Sequence, residues 1–470
     1  MNETIIQFNE GSGLKLYEQL YEKFKRDIET GALAAGSKMP SLRKLAKENK
    51  ISITTVETAY NQLLVEGYIE SRPKSGYYVN SEIFPVTGSV EQKMDDIGIE
   101  EHTKEPMLLY DEESFDFYGW KKSMNKVFNT YSHLLRSEAD IQGEPMLREE
   151  ISKYLRERRG VPCSPEHIVV GAGLQQLTSN LARLFKELGI CNYAEGFPGY
   201  TKVSDVFKDG GFTLNTIDTD ETGIRVEKLG VDRNLVYVSP SNQFPTGTVM
   251  PVSRRIELIK WADMTDSYVL EDDFDSELRY YGKPVPPMKS LGDGERVIYF
   301  GSFATTLFAG IKISYMVLPD RLIEAWEAIG SRYEQTCSKT EQLCLAVYMN
   351  EGHYQRTIKR CRKLYAAKLK TALKAFEEHG SGVFMPVNSK SGMAFTLKIK
   401  TDIPAAVLSE AGERYGMLMY PVEKMSTKHE QIVCFYFYRV SETMLKILIK
   451  QYVQNIKRRM ERGACDGEIK

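Results

Sequence analysis

The sequence has few of the features that would place a chain in a membrane, in an oxidising compartment or on a polyanion. It holds no run of about 18 uninterrupted apolar residues, so no membrane span is expected. The opening residues, MNETIIQFNEGSG, lack a basic stretch followed by an apolar one, and no secretory leader is expected. The seven cysteines (Cys163, Cys191, Cys337, Cys344, Cys361, Cys434 and Cys465) are odd in number, scattered and without a C-x-x-C pair. That pattern predicts structural thiols in a reducing cytoplasm rather than a metal site. Neither charge dominates: 62 Lys and Arg face 64 Asp and Glu, a formal net charge of −2. Any attraction to nucleic acid therefore has to come from a local patch. Internal repeats and low-complexity tracts are also absent.

What is present reads as an ordinary globular chain: 470 residues, 42% hydrophobic and 27% charged, enough for two or three domains. Residues 13–80 read as three helices and a hairpin. Residues 81–110 are acidic and polar with little periodicity, which is linker chemistry. Residues 111–465 alternate short apolar strands with helical patterns, the mark of an α/β sheet. The strands are expected at Ile168–Val170, Gly189–Tyr193, Thr213–Ile217, Leu235–Val238, Tyr268–Leu270, Val297–Phe300 and Ile313–Leu318. A smaller α+β segment follows, with strands near Ala394–Ile399 and Ile432–Phe437 and a last helix from Glu442.

In the first region, Leu16, Tyr17, Leu20, Tyr21, Phe24 and Ile28 form a helical apolar stripe. Ser41 after Pro40, and Ser52 after Asn49-Lys50-Ile51, are suited to cap a second and a third helix. Gly67–Ser71 and Gly76–Val79, joined by Arg72-Pro73-Lys74-Ser75, read as a two-stranded wing. The pattern P-S-x-R-x-L-A, then S-x-T-T-V-x-x-A-Y-x-x-L-x-x-E-G-Y, then a glycine-containing wing resembles the GntR-type winged helix-turn-helix. The resemblance implies that the third helix enters the major groove of DNA. It assigns Ser41, Arg43, Lys44 and Lys74 to phosphates or the wing groove, and Thr54, Thr55 and Tyr60 to reading; Ser52, at the start of the third helix, and Gly76, in the wing, complete the expected DNA-binding set. Ile53 departs from the arginine common at the start of that helix. On the bland reading, Arg43, Lys44, Lys47 and Lys50 are a solvated helix face.

A GntR-type reader followed by an aminotransferase-like body resembles the MocR subfamily of bacterial transcription regulators. The landmarks run in order: Gln142–Arg148, Ile168–Gln176, Glu195-Gly-Phe-Pro-Gly-Tyr200, Ser239–Gly247, Glu271–Glu277 and Val297–Lys312. The implied fold is a large fold-type I domain of the kind found in enzymes dependent on pyridoxal 5'-phosphate (PLP), with a small C-terminal α+β subdomain. Gly171-Ala172-Gly173 closes a strand and opens a helix, where amides can cradle a phosphate. Asp272 ends a buried strand, where open α/β sheets place ligands. By resemblance it meets the PLP ring nitrogen, Tyr200 borders the ring, and Asn242 and Gln243 lie near its hydroxyl.

The departures concentrate on covalent chemistry. Thr305 stands where the family has the lysine that forms a Schiff base with the PLP aldehyde. Phe274 replaces a tyrosine, Lys312 an arginine that helps bind the phosphate, and Ala304 a serine, whereas Ser302 is kept. Cys434 and Lys202 also fall where arginines are usual. With no amine at 305, aminotransferase turnover is not expected. The leading expectation is a homodimeric regulator that binds operator DNA and senses a small molecule, with PLP held non-covalently or lost. A residual PLP aminotransferase and a ligand-free DNA-binding scaffold are the alternatives.

Overall fold

A computed structural model describes Phe8 and residues 15–73, 75–80, 114–281 and 285–467, with side chains as far as Glu461. Lys74, the expected linker 81–110 and the Cys465 side chain lie outside the described residues. The chain forms two compact units, Met1–Pro106 and Met107–Lys470.

In the first unit α1 (Leu16–Glu29) buries Leu20, Tyr21, Phe24 and Ile28, one face at helical spacing. The N-cap of α2 (Leu42–Asn49) is Ser41, whose Oγ accepts the Lys44 amide at 3.3 Å. Ser52 caps α3 (Ile53–Val65) in the same way, accepting the Thr55 amide at 3.0 Å. An antiparallel hairpin follows, β1 (Ile69–Arg72) and β2 (Gly76–Val79), with Ile69 opposite Val79. The first wing strand starts at Ile69 rather than Gly67, because Gly67 adopts φ +81° at the end of α3.

The second unit contains α4 (Phe117–Thr130), α5 (Pro145–Tyr154), β3 (Ile168–Gly171), α6 (Leu174–Glu187), β4 (Asn192–Phe197), α7 (Thr201–Asp209), β5 (Thr213–Asp220), β6 (Gly223–Ile224), β7 (Leu235–Val238), α8 (Val252–Met264), β8 (Tyr268–Asp272), β9 (Val297–Ser302) and β10 (Ser314–Val317). Its eight strands run in the order β3-β10-β9-β8-β7-β4-β5-β6. Strands β9, β8, β7, β4 and β5 are parallel neighbours; β10 is antiparallel to both β3 and β9. Every residue of β7, inside the sheet, is buried, and so is every residue of β3 at its edge, as expected of strands covered on both faces. After α9 (Ile323–Gly330), α10 (Lys339–Asn350) and the long α11 (His353–Gly380), the small subdomain folds as the antiparallel sheet β11-β12-β14-β13. Its members are β11 (Phe384–Val387), β12 (Phe395–Ile399), α12 (Ala405–Glu413), β13 (Met419–Pro421), β14 (Gln431–Phe435) and α13 (Glu442–Gly467).

Several boundaries differ from the sequence reading. The strand expected at Gly189–Tyr193 is Asn192–Phe197, because Gly189 takes φ +75° at the end of α6 and the Ile190 amide bonds back to Phe185. The last strand ends at Phe435, since Phe437–Arg439 turns into a 3-10 segment. Strands β6, β11 and β13 were not anticipated. Pro386 and Pro421, both poor strand residues, lie in two of them.

Candidate functional site

In the first unit, α3 turns Val56, Ala59, Tyr60 and Leu63 into the core. Ile53, Thr54, Glu57, Thr58 and Asn61 remain exposed on the outside. Tyr60 is therefore not a reading residue: it is 0% exposed, packs edge-on against Phe24 and Tyr77, and donates to the Pro40 carbonyl at 3.0 Å. Both threonine hydroxyls meet Ser52 Oγ, Thr54 at 2.9 Å and Thr55 at 2.8 Å, but Thr55 is half-buried and Thr54 exposed, so Thr54 is the more open of the two. Asn61 and Thr58, seven and four residues beyond Thr54, share its face; that spacing was the available signal for them. Arg43 is exposed and Lys44 pairs loosely with Glu48 at 3.6 Å. In the wing, Arg72 sits over the Tyr78 ring at 4.3 Å and pairs with Glu70 at 2.6 Å, and Gly76 has φ +107°.

In the second unit the carboxyl ends of β8, β9 and β7 and the N-terminus of α6 converge on a cavity of about 300 Å³. Seven of the expected residues line it: Gly173, Tyr200, Asp272, Phe274, Ser302, Thr305 and Lys312. Leu174, Tyr237, Ser239, Phe244, Phe300, Gly301, Ala304, Ser314 and Tyr436 complete the wall. The Ser314 hydroxyl donates to Ser302 Oγ at 3.0 Å, so two hydroxyls sit together between β9 and β10. Lys312 is exposed, in the left-handed region at φ 49°, and makes no hydrogen bond or ion pair among the described residues. The first turn of α6 opens at Leu174, and its amides have no partner inside the helix.

Asp272 takes the Tyr237 hydroxyl on Oδ2 at 2.5 Å. Burial is the main cause that pushes its carboxyl up, to about 6; the nearby Asp273 pushes the same way and the Tyr237 bond opposes both. Tyr200 is raised by burial and by the Asp272 charge.

Four expected residues, Gly171, Ala172, Asn242 and Gln243, do not line the cavity. Gly171 is a strand residue packed so tightly that a Cβ would lie 2.1 Å from Gln176 Oε1 and 2.6 Å from Leu177. The Ala172 amide is already spent on Thr336 Oγ1 at 3.1 Å, and the Gly173 amide on the Gly171 carbonyl at 2.8 Å. Asn242 is buried, with Nδ2 3.4 Å from Asp275 Oδ2. Gln243 is buried too, bonded to the Pro198 carbonyl at 3.3 Å. Cys434 is buried in β14 beside Val422 and Ile432, and its thiol is pushed up to about 12 by burial; Lys202 lies exposed on α7.

Behind the cavity Asp273 organises a buried frame. It accepts Arg159 Nε at 2.7 Å and Nη2 at 2.8 Å, Ser241 and Ser276 hydroxyls at 2.7 Å each, and the Tyr299 hydroxyl. Glu271 accepts the Met288 and Lys289 amides at 2.7 and 2.8 Å. These acids hold loops to the sheet and do not line the cavity.

Residues 16–79 match the family described as "Bacterial regulatory proteins, gntR family", and residues 108–429 match "Aminotransferase class I and II". The HTH-type transcriptional regulator YdeL of Bacillus subtilis is 36% identical over 93% of this chain and 96% of its own length. The "Probable rhizopine catabolism regulatory protein MocR" of Rhizobium meliloti is 29% identical over 89% of each chain. Among solved structures, a multiple substrate aminotransferase from Thermococcus profundus aligns with TM-score 0.65 at 24% identity, over 80% of this chain and 96% of that one. At that identity it establishes the fold alone. With a gntR-family reader, an aminotransferase-like body and a full-length relative at 36% identity, the chain belongs to the MocR subfamily of GntR-type transcription regulators.

Proposed function

We propose that this regulator works in the cytoplasm as a homodimer, reads operator DNA through α3 and the wing, and uses the cavity to sense a small anionic molecule without catalysis. One observation carries the reading. The cavity combines an acid, Asp272, with two hydroxyls, an unpaired ammonium at Lys312 and a helix N-terminus, yet position 305 offers no amine. PLP, the group that the family resemblance implies, would find most of its partners here. Ser302, Lys312 and the opening amides of α6 suit its phosphate, and Asp272 suits its ring nitrogen. Tyr200, Phe244 and Phe274 supply apolar walls for the ring. When held by a lysine such a group serves as an electron sink for amino-acid chemistry; position 305 supplies no amine for that bond. On the DNA side, Ile53 is 48% exposed and suits a thymine methyl, while Thr54 and Asn61 suit base edges. Arg43 and Lys44 suit phosphates.

The test is a titration of the full chain with PLP, followed by melting temperature and by mass after borohydride treatment. A saturable rise in melting temperature with no reduced adduct supports the reading. A stable lysine adduct would instead restore the catalytic alternative, and no shift with PLP would remove PLP as the ligand.

A further inference from the structure

Helix α11 carries a charge pattern that neither the cavity nor the reader uses. From His353 to Phe376 it holds eight lysines and arginines and no Asp or Glu, in a chain whose net charge is −2. Arg356, Arg360, Lys363, Lys370 and Lys374 follow at steps of four, three, seven and four residues, a single stripe on a 3.6-residue helix. Lys359 flanks it. The buried residues Tyr354, Ile358, Cys361, Tyr365, Leu369, Ala372 and Phe376 occupy the opposite side, so the stripe points straight out, and its members are all exposed. At 1.5 Å per residue it runs about 27 Å, the axial length of roughly eight base pairs.

An ordinary solvated helix face mixes the two signs and gains from oppositely charged pairs at i,i+4. This face does the reverse. Arg356 with Arg360, Lys359 with Lys363 and Lys370 with Lys374 are like-charged pairs at that spacing. Internal partners are few: Arg356 donates to the Glu351 carbonyl at 3.1 Å, and Lys374 lies 3.6 Å from Glu378. Lys359, Arg360, Lys363 and Lys370 have no ion pair among the described residues. Arg360 and Lys363 also border a groove of about 450 Å³ with Leu364, Ala367 and Glu442. A line of cations, four of them without an ion pair among the described residues, is a site for an extended polyanion. The reader by contrast is only weakly electropositive, with 11 basic against 8 acidic residues between Lys15 and Asn80.

We propose that the outer face of α11 is a second DNA-binding surface, which contacts the phosphate backbone without regard to sequence. The proposal rests on the reading that this chain binds DNA; it adds that the aminotransferase-like unit contributes to that binding directly. Each phosphate neutralised releases a counterion and steepens the dependence of affinity on salt by about 0.9.

The experiment measures binding of the full chain to a long random-sequence duplex across a salt series. It compares the wild type with a variant carrying Lys359→Gln, Arg360→Gln, Lys363→Gln and Lys370→Gln, and with Arg43→Ala. The quadruple change is expected to lower the salt slope by about three to four and affinity near 0.15 M salt at least tenfold. Single Lys363→Gln and Lys370→Gln changes should each lower the slope by about one, which keeps the test open if the quadruple variant misfolds. Replacing the three lysines by arginine should preserve binding. An unchanged slope, with Arg43→Ala weakened, would overturn the second surface and leave the reader standing. No DNA binding by the wild type would overturn both. Loss of self-association in the quadruple variant, with DNA affinity intact, would make the stripe a protein interface and refute the proposal.

Discussion

The two units handle charge in opposite ways. In the reader, the ion pairs among the described residues are exposed and local: Lys23–Asp27, Lys44–Glu48 and Glu70–Arg72. Its interior is apolar, built on Leu20, Phe24, Leu45, Val56, Tyr60 and Leu63. In the second unit, acids next to the cavity are buried and spent on the protein itself, Asp273 on Arg159 and Glu271 on the Met288 and Lys289 amides. The reader's charges thus stay at its surface, whereas the cavity's frame consumes nearly all of its own. Asp272 and Lys312 are what the cavity has left to offer a ligand. None of the frame's internal bonds involves Thr305, which brings no amine to the cavity.

The sharpest way to break this comparison is Asp273→Ala. The change strands the Arg159 guanidinium and three hydroxyls in the interior, and removing one partner of such a pair costs about 3–5 kcal/mol. Chemical denaturation should show the second unit unfolding earlier while the reader's transition stays in place. Parallel loss in both units would mean that the frame is not confined to the second.

A smaller effect, dependent on pH, comes from Asp275. Burial raises its carboxyl to about 7, with the Glu277 and Asp272 charges adding to the rise, and its Oδ1 is buried without a partner. The folded pKa lies above the unfolded value of about 3.9, so the folded state holds the proton longer. Stability from this group is therefore greatest below about pH 4 and declines as pH rises through about 7. Asp275→Asn removes the ionisation, and at φ 57° asparagine tolerates the left-handed backbone. The variant should be more stable than wild type at pH 8 by on the order of 1–3 kcal/mol, with the gap closing towards pH 4. A gap that does not change with pH would exclude ionisation of Asp275 as its source.

Much of this organisation is legible in the residues. Ser41 and Ser52 announce their helices, because a capping hydroxyl acts on an amide three residues away. Asp272 could be placed at a strand end because a buried apolar run stops there. What escaped the sequence was contact between distant segments. Ala172 looks free until Thr336, 164 residues on, takes its amide. Asn242 looks like a ring contact until Asp275 claims it, and Tyr436 reaches the cavity from the small subdomain. Tyr237 is hidden in a strand whose residues all read as core, yet its hydroxyl meets Asp272. Register errors had a local cause: Gly189 belongs to a helix end, and no apolar pattern distinguishes that from a strand start.

Tyr60 gives the finest test of the reader's side of the comparison. A tyrosine on the third helix of a winged helix invites assignment to the DNA, but the helical phase puts position 60 with Val56 and Leu63, inward. Its hydroxyl then has one protein partner, the Pro40 carbonyl at the entry to α2. Tyr60→Phe keeps the ring contacts with Phe24 and Tyr77 and leaves that carbonyl without its donor. The expected cost is about 1 kcal/mol of reader stability. DNA affinity per folded molecule, measured well below the melting temperature, should not change. A loss of affinity without a loss of stability would put Tyr60 at the DNA after all, and would mean that the reader too hides functional groups inside.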